Sequence, residues 1–433
     1  MKLFSSGLFL LISFFSLNAQ ETLESYQKRM QWFEDAKLGI FIHWGIYSVN
    51  GIDESWSFFN NYIPYEDYMQ QLDGFNASDY DPSEWVQLIE QSGAKYAVLT
   101  TKHHDGVALW DTGCSGINVV ENSAAKTDLI QPFVKAVKKS SLKLGLYYSL
   151  LDWSHPDYPN KTRTEKRYET DSVRWNRFVA FNFCQLEEIT KKYNPDLYWF
   201  DGDWEQSAEA WRAEELSQQI RAWQPNIILN SRITGFGDYG TPEQGVPISR
   251  PKDSYWELCM TMNDSWGYQH NDHNYKSPQQ IIEIFTETLH KGGNLLLDIG
   301  PKADGTIPTE QVEILESLGR WTSKHKEAIY GSRAGIDKNY YHGTSTLNSS
   351  GDLLYLFVPH DPKGHVTLRG IKNKINRIWV VGDGTKLSWD IKMKQYWSEA
   401  PGIVYIDVPD DVLDENVTVL AILLDGKIDL YNE

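Results

Sequence analysis

The sequence predicts an α/β fold: a (β/α)8-like, TIM-type barrel, regular or irregular, followed by an all-β sandwich. Three observations carry that expectation. Short apolar runs alternate with helical stretches over residues 22–330 of a 433-residue chain, and that rhythm means parallel strand pairing. Polar and aromatic residues collect where each run ends, as in barrels whose sites are built at the C-terminal strand ends. From about residue 335 the helical periodicity stops, and short strands separated by Gly-Asp, Asp-Gly and Pro turns take over. The expected division is 1–19, 20–334 and 335–433. A doubly wound open sheet would usually show a Gly-rich phosphate turn after its first strand. Here that position reads His43-Trp44-Gly45.

Residues 1–19 have the form of a secretory signal. Lys2 precedes an apolar run from Leu8 to Leu17, and Leu17-Asn18-Ala19 resembles a cleavage site. The run is too short to span a bilayer, so the expectation is export to a periplasm or to the exterior. Residues 22–37 read as helix, and the apolar run Leu38 to Ile42 follows. Asp81-Pro82-Ser83-Glu84 opens a helix with an N-cap, a first-turn proline and a capping-box glutamate. The strand from Tyr96 to Thr100 ends in Lys102-His103-His104-Asp105-Gly106, and Asp128 caps a helix through Val137. A strand from Leu142 to Ser149 ends near Asp152-Trp153. A long helix, 169–192, leads into the strand Leu197 to Phe200, which stops in Asp201-Gly202-Asp203-Trp204. Helix 208–223, a strand from Asn226 to Asn230 ending in Ser231-Arg232, and a Gly-rich stretch 233–252 come next. Ser277-Pro278 caps a helix through Leu289, Gly293 to Gly300 is a last strand and turn, and helix 309–328 closes the region.

The net charge is −18, which disfavours nucleic acid and anionic membrane surfaces as partners. The chain carries 17 Trp, 24 Tyr and 17 Phe, a density that suits stacking on sugar faces, although large cores also use these residues. Cys114, Cys184 and Cys259 are scattered without metal-finger spacing. They read as small buried hydrophobes, not as a disulfide framework.

The strand ends gather His43, Glu54, Trp56, His103, His104, Tyr147, Trp199, Asp201, Arg232, Glu243, Glu257 and Trp266. Carboxylates, imidazoles and tryptophans together fit hydrolysis of a sugar linkage, which needs two carboxyl groups flanking the scissile bond. Asp201 directly follows a buried strand, so the fold fixes its backbone; its bland alternative is a turn residue. Asp203 is its nearest rival, or a hydrogen-bonding partner of the turn. His103-His104-Asp105 invites a metal reading. Successive strand residues point to opposite faces and a third ligand is required, so hydroxyl binding is the favoured role.

Six stretches in order resemble the α-L-fucosidases of glycoside hydrolase family 29 over about residues 30–330. They are Leu38 to Val49, Ala94 to Gly106, Gly145 to Ser149 with Asp152-Trp153, Asp201 to Trp204, Ser265 to Tyr268 and Lys291 to Leu297. The resemblance implies a retaining, two-step mechanism on terminal α-L-fucosyl bonds, with Asp201 as nucleophile and a covalent fucosyl-enzyme. It implies that His43, His103, His104, Tyr147, Trp199 and Arg232 bind the fucose hydroxyls and ring. Trp266 would line the wall near the sugar's methyl group, with Glu54 and Trp56 as further ligands. The partner would be a fucosylated oligosaccharide or glycoconjugate, with no metal and no cofactor. Glu54-Ser55-Trp56 departs from the Glu-Trp pair common in the family. The acid/base comes from a variable loop: Glu243, in Thr241-Pro242-Glu243, is the first choice. Glu257, after Trp256, is the second, and Trp256-Glu257 also fits a barrel strand. The rival readings are a glycosidase acting on α-L-galactosides, a non-catalytic sugar-binding protein, and a metal-dependent barrel hydrolase built on His43, His103 and His104.

Overall fold

Seven parallel strands form one curled sheet: β1 (Leu38–Ile42), β2 (Tyr96–Lys102), β3 (Lys143–Ser149), β4 (Leu197–Asp201), β5 (Ile228–Leu229), β6 (Glu257–Thr261) and β7 (Asn294–Ile299). Their spatial order is β5-β4-β3-β2-β1-β7-β6. The computed structural model describes residues 21–432 apart from 360, 361 and 363. The expected export signal, 1–19, lies outside the described residues. Burial on both faces explains why these strands read as near-continuous apolar runs.

The sheet is irregular at one place. β5 is only two residues long, shorter than the expected strand, and the Asn230 side chain carries the pairing onward. Its Nδ2 donates to the Phe200 carbonyl at 2.9 Å, and its Oδ1 accepts from the Phe200 N–H at 2.9 Å. Between β5 and β6 the described residues form no eighth strand. Isolated parallel bridges pair Asn230 with Tyr239, Gly240 with Trp256 and Glu243 with Cys259, so the Gly-rich stretch links the sheet's two edges.

Helices fill the connections, and their starts follow side-chain chemistry. The Asp81 carboxylate accepts from Ser83 N–H at 2.7 Å and Glu84 N–H at 3.3 Å ahead of helix Pro82–Gln91. Ser277 and Gln280 form a full capping box on helix Pro278–His290. Asp171 caps helix Ser172–Tyr193, which is why that helix begins later than the expected 169. The expected helix 208–223 divides into Ala208–Trp211 and Ala213–Trp223 at Arg212, whose φ is +52°.

The cysteine expectation is corrected. Cys114 and Cys184 form a disulfide, with Cα atoms 6.1 Å apart, tying the loop after β2 to helix Ser172–Tyr193. Cys259 is free and buried, as expected.

The C-terminal strands are β8 (Arg333–Ala334), β9 (Thr344–Leu347), β10 (Leu353–Pro359), β11 (Val366–Leu368), β12 (Ile375–Val380), β13 (Trp389–Lys392), β14 (Ile403–Ile406) and β15 (Val417–Leu424). They make a five-stranded sheet, β12-β15-β10-β9-β8, and a three-stranded sheet, β11-β14-β13. Leu356, Ile378 and Ile422 of the first sheet share one apolar core with Leu368, Val404 and Ile406 of the second, the packing of a sandwich. The other face of the five-stranded sheet, with Tyr355, Phe357, Val419 and Ala421, joins the barrel's own core. Trp321 of helix Thr309–Ile329 marks that seam: its Nε1 donates to the Val417 carbonyl at 2.8 Å.

Candidate active site

One cavity of about 460 Å³ opens at the C-terminal ends of the barrel strands, lined by His43, Glu54, Trp56, His103, His104, Trp199, Asp201, Arg232, Glu243 and Trp266. All ten were expected from the sequence. Tyr147 lies against the wall and reaches Asp201 through its hydroxyl. Glu257 does not line the cavity.

Asp201 is the last residue of β4. Gly202, with φ +81°, turns the chain immediately after it, where a Cβ would meet Leu151 Cγ at 2.6 Å. The Asp201 carboxylate is held from three sides. Tyr147 Oη donates to Oδ2 at 3.1 Å, Arg232 Nη1 donates to Oδ1 at 2.9 Å, and His104 Nε2 stands 3.6 Å from Oδ2. The other terminal nitrogen of Arg232, Nη2, donates to Glu243 Oε2. A single guanidinium therefore touches both carboxylates, and it rests 4.6 Å above the Trp199 ring.

The three histidines share one arrangement. His43 Nδ1 is 2.7 Å from Asp298 Oδ1, His103 Nδ1 meets Ser55 Oγ, and His104 Nδ1 is 2.6 Å from Ser149 Oγ. A polar partner on Nδ1 fixes each ring's orientation and leaves Nε2 for other contacts. Burial pushes His43 and His103 well below the ordinary imidazole value and lowers His104 to about 3, aided by the nearby His43, Lys102 and Arg232. Burial also drives the Asp298 carboxyl up from the ordinary carboxylate value, with nearby Glu54 adding to the shift. The expected opposition of His103 and His104 across a strand does not hold. The β2–β3 register shifts after Thr100, the strand ends at Lys102, and the two rings lie 4.3 Å apart facing the same cavity. Among the described residues no group of three or more His, Cys, Asp or Glu side chains has metal-holding geometry.

Glu54 is buried, and its carboxyl is raised to about 7 by that burial, against the N–H of Gly267, which donates to Oε1 at 2.6 Å. This bond ties the Glu54 loop to the Trp266-Gly267 loop. Trp266 then packs 5.0 Å from the His43 ring and 6.1 Å from Phe41, an apolar wall. Trp56 stacks on Trp204 at 6.1 Å with 14° between planes and meets Trp153 at 5.0 Å. Asp203 accepts the Thr234 N–H at 2.6 Å, so it secures the loop that carries Arg232.

Phe41, Asp203 and Trp204 also line the cavity. Of these, Phe41 and Trp204 were not among the expected site residues. Trp204 closes the Asp-Gly-Asp-Trp motif, so the motif itself was the signal. Phe41 sits inside β1 and looks like any core residue. Asp298 was also missed, although an aspartate inside the run Leu295-Leu296-Leu297-Asp298-Ile299 is the mark of a buried, partnered charge.

A parallel barrel sheet with paired carboxylates and an aromatic wall at its C-terminal mouth defines the chain as a barrel glycoside hydrolase. The family model described as "Alpha-L-fucosidase" matches residues 15–327. An alpha-L-fucosidase of Dictyostelium discoideum is 33% identical over 363 residues, 76% of this chain and 77% of that one. The tissue alpha-L-fucosidase of Mus musculus is 32% identical over 401 residues, 83% of this chain and 84% of that one. Alpha-L-fucosidase isoenzyme 1 from Paenibacillus thiaminolyticus superimposes with a TM-score of 0.84 at 31% identity, covering 93% of this chain and 100% of that one. The chain belongs to the α-L-fucosidase family.

Proposed function

We propose that the chain is a retaining exo-α-L-fucosidase that removes terminal fucose from fucosylated oligosaccharides or glycoconjugates. The observation that carries this is the pair Asp201 and Glu243, held on two nitrogens of one guanidinium in one cavity. Retaining glycosidases keep their two carboxyl groups about 5–5.5 Å apart, so that both reach one bond.

Asp201 attacks the anomeric carbon and forms the fucosyl-enzyme. Arg232 and Tyr147, both bonded to its carboxylate, hold it in the attacking orientation. Glu243 gives its proton to the departing glycosidic oxygen, then takes one from the water that releases fucose. The neutral imidazoles of His43, His103 and His104 bind ring hydroxyls without bringing in extra charge. Phe41 and Trp266 form the apolar wall expected beside a deoxy-sugar's methyl group. Such a wall discriminates only weakly against an added hydroxyl, by roughly 10², so an α-L-galactoside is the expected poor substrate. The Cys114–Cys184 disulfide supports export, since such bonds persist in oxidising compartments.

Hydrolysis of a nitrophenyl α-L-fucoside, followed by NMR, tests the reading; the first-formed product is expected to be α-L-fucose. Formation of the β-anomer first would reject retention, and cleavage of other glycosides with none of the fucoside would reject the substrate. Glu243→Ala is expected to lose turnover and regain it with azide. An inactive Glu243→Ala protein that azide does not restore would count against the acid/base role.

A further inference from the structure

Glu257 remains as a buried carboxyl without a part in the reaction described above. It opens β6 and is fully buried, and both of its oxygens are engaged. Oε1 accepts the Trp199 Nε1–H at 3.0 Å, and Oε2 accepts the Tyr96 hydroxyl. Trp199 lies on β4, two residues before Asp201. Its ring is the surface on which Arg232 rests. β6 in turn seats the segment that carries Glu243. Gly240 pairs with Trp256 and Glu243 with Cys259, through Glu257 N–H to Gly240 O at 2.9 Å and Cys259 N–H to Pro242 O at 3.1 Å.

We propose that Glu257 is a positioning residue whose bond to Trp199 struts the strand carrying Asp201 against the strand seating Glu243, and so sets the spacing of the two carboxyl groups. The proposal rests on the fucosidase reading for its readout. A strut across the barrel is needed here because this is where regular sheet is missing. β4 has only the two-residue β5 beyond it, and the link from β5 to β6 is a set of isolated bridges. Backbone pairing alone leaves that arc weakly defined, and a side-chain bond from β6 to β4 spans it. Burial raises the Glu257 carboxyl to about 7, opposed by the bonds from Tyr96 and Trp199 and by Arg232. Both bonds suit the protonated and ionised forms alike, because the tyrosine hydroxyl can reverse its role.

The test compares Glu257→Gln, Glu257→Ala and Trp199→Phe on activated and poor-leaving-group fucosides, with and without azide, beside thermal melts. In Glu257→Gln the amide oxygen still takes the indole N–H and the Tyr96 hydroxyl turns to accept the amide N–H. Turnover is therefore expected to stay within about threefold of wild type, whereas a misplacement on the order of 1 Å costs about 10². Glu257→Ala is expected to lose roughly 10²-fold in kcat with little change in KM and no recovery with azide, and Trp199→Phe, whose ring also lines the cavity, to lose kcat to a similar extent without recovery with azide. Trp199→Phe removes the indole N–H together with its five-membered ring and leaves a smaller aromatic face under Arg232, so it reads the lost bond beside lost packing, and Glu257→Gln, which keeps the bond, is the control if the alanine variant fails to fold. An inactive Glu257→Gln protein that azide restores would show Glu257 to be an acid/base and overturn the strut. Wild-type kcat in Trp199→Phe would overturn it as well, as would variants that only lower the melting temperature. Inactivity of the wild type on every fucoside would sink the substrate reading alone. The strut would then be judged by whether Glu257→Ala and Trp199→Phe are non-additive in the melts, and additive losses would reject it.

Discussion

Asp201 shows how far a single position could be read. Its place after an apolar strand and before glycine announced a fixed carboxylate, and the structure surrounds it with Tyr147, Arg232 and His104. Asp201→Asn is expected to lower turnover by roughly 10⁴-fold or more while circular dichroism and melting stay close to wild type; steady-state kinetics on a nitrophenyl fucoside checks this. Glu54 gives a prediction about pH. Its native carboxyl is raised from 4.5 to about 7, so between those values the folded chain holds a proton that the unfolded chain has lost. Unfolding releases that proton, so the Glu54 contribution to stability falls as pH rises through this window and levels off above about 7. Glu257 and Asp105, raised to about 7 and about 6 by burial, add slopes of the same sign, and His104, lowered to about 3, adds the opposite slope below its ordinary value. Glu54→Gln removes one of these terms and keeps an acceptor for the Gly267 N–H. Its stability relative to wild type is expected to improve by up to about 3 kcal/mol from pH 5 to pH 8, measured by denaturant titration at both pH values.

Among the elements, the regular barrel strands and the capped helices were legible, because apolar runs and caps are local signals. The arc from β5 to β6 was not. Residues 233–252 are rich in glycine and proline and pair only through isolated bridges, so no period marks them. The sequence favours Glu243 over Glu257 on its Thr241-Pro242-Glu243 context alone for the same reason: where each carboxyl ends up depends on which way that unpatterned segment runs. The disulfide was hidden by distance. Its cysteines are 70 residues apart, and an odd count of three carries no pairing signal. Replacing Cys114 and Cys184 by serine is expected to cost about 4 kcal/mol through the loop it frees, with kcat retained at 25 °C. Denaturant midpoints under oxidising and reducing conditions check this, and wild type should show the same loss when reduced.

At the scale of the molecule, the change to an all-β tail was plain in the sequence, but how closely that tail joins the barrel was not. Alternating strand patterns show that one face is apolar without showing what covers it. Here the β10–β15 surface and Trp321 complete one core. Trp321→Ala is expected to cost about 3–5 kcal/mol and to lower the melting of the whole chain in one transition, not of the tail alone. Two separate calorimetric transitions, with the barrel's unchanged, would contradict it.

That seam also limits how the chain can be recombined. A foreign tail grafted after helix Thr309–Ile329 would leave the indole of Trp321 and the helix's inward side chains without the surface shaped to receive them. Chimaeras within this group of enzymes should therefore exchange the helix and the whole two-sheet tail as one cassette, with the crossover placed upstream of residue 309.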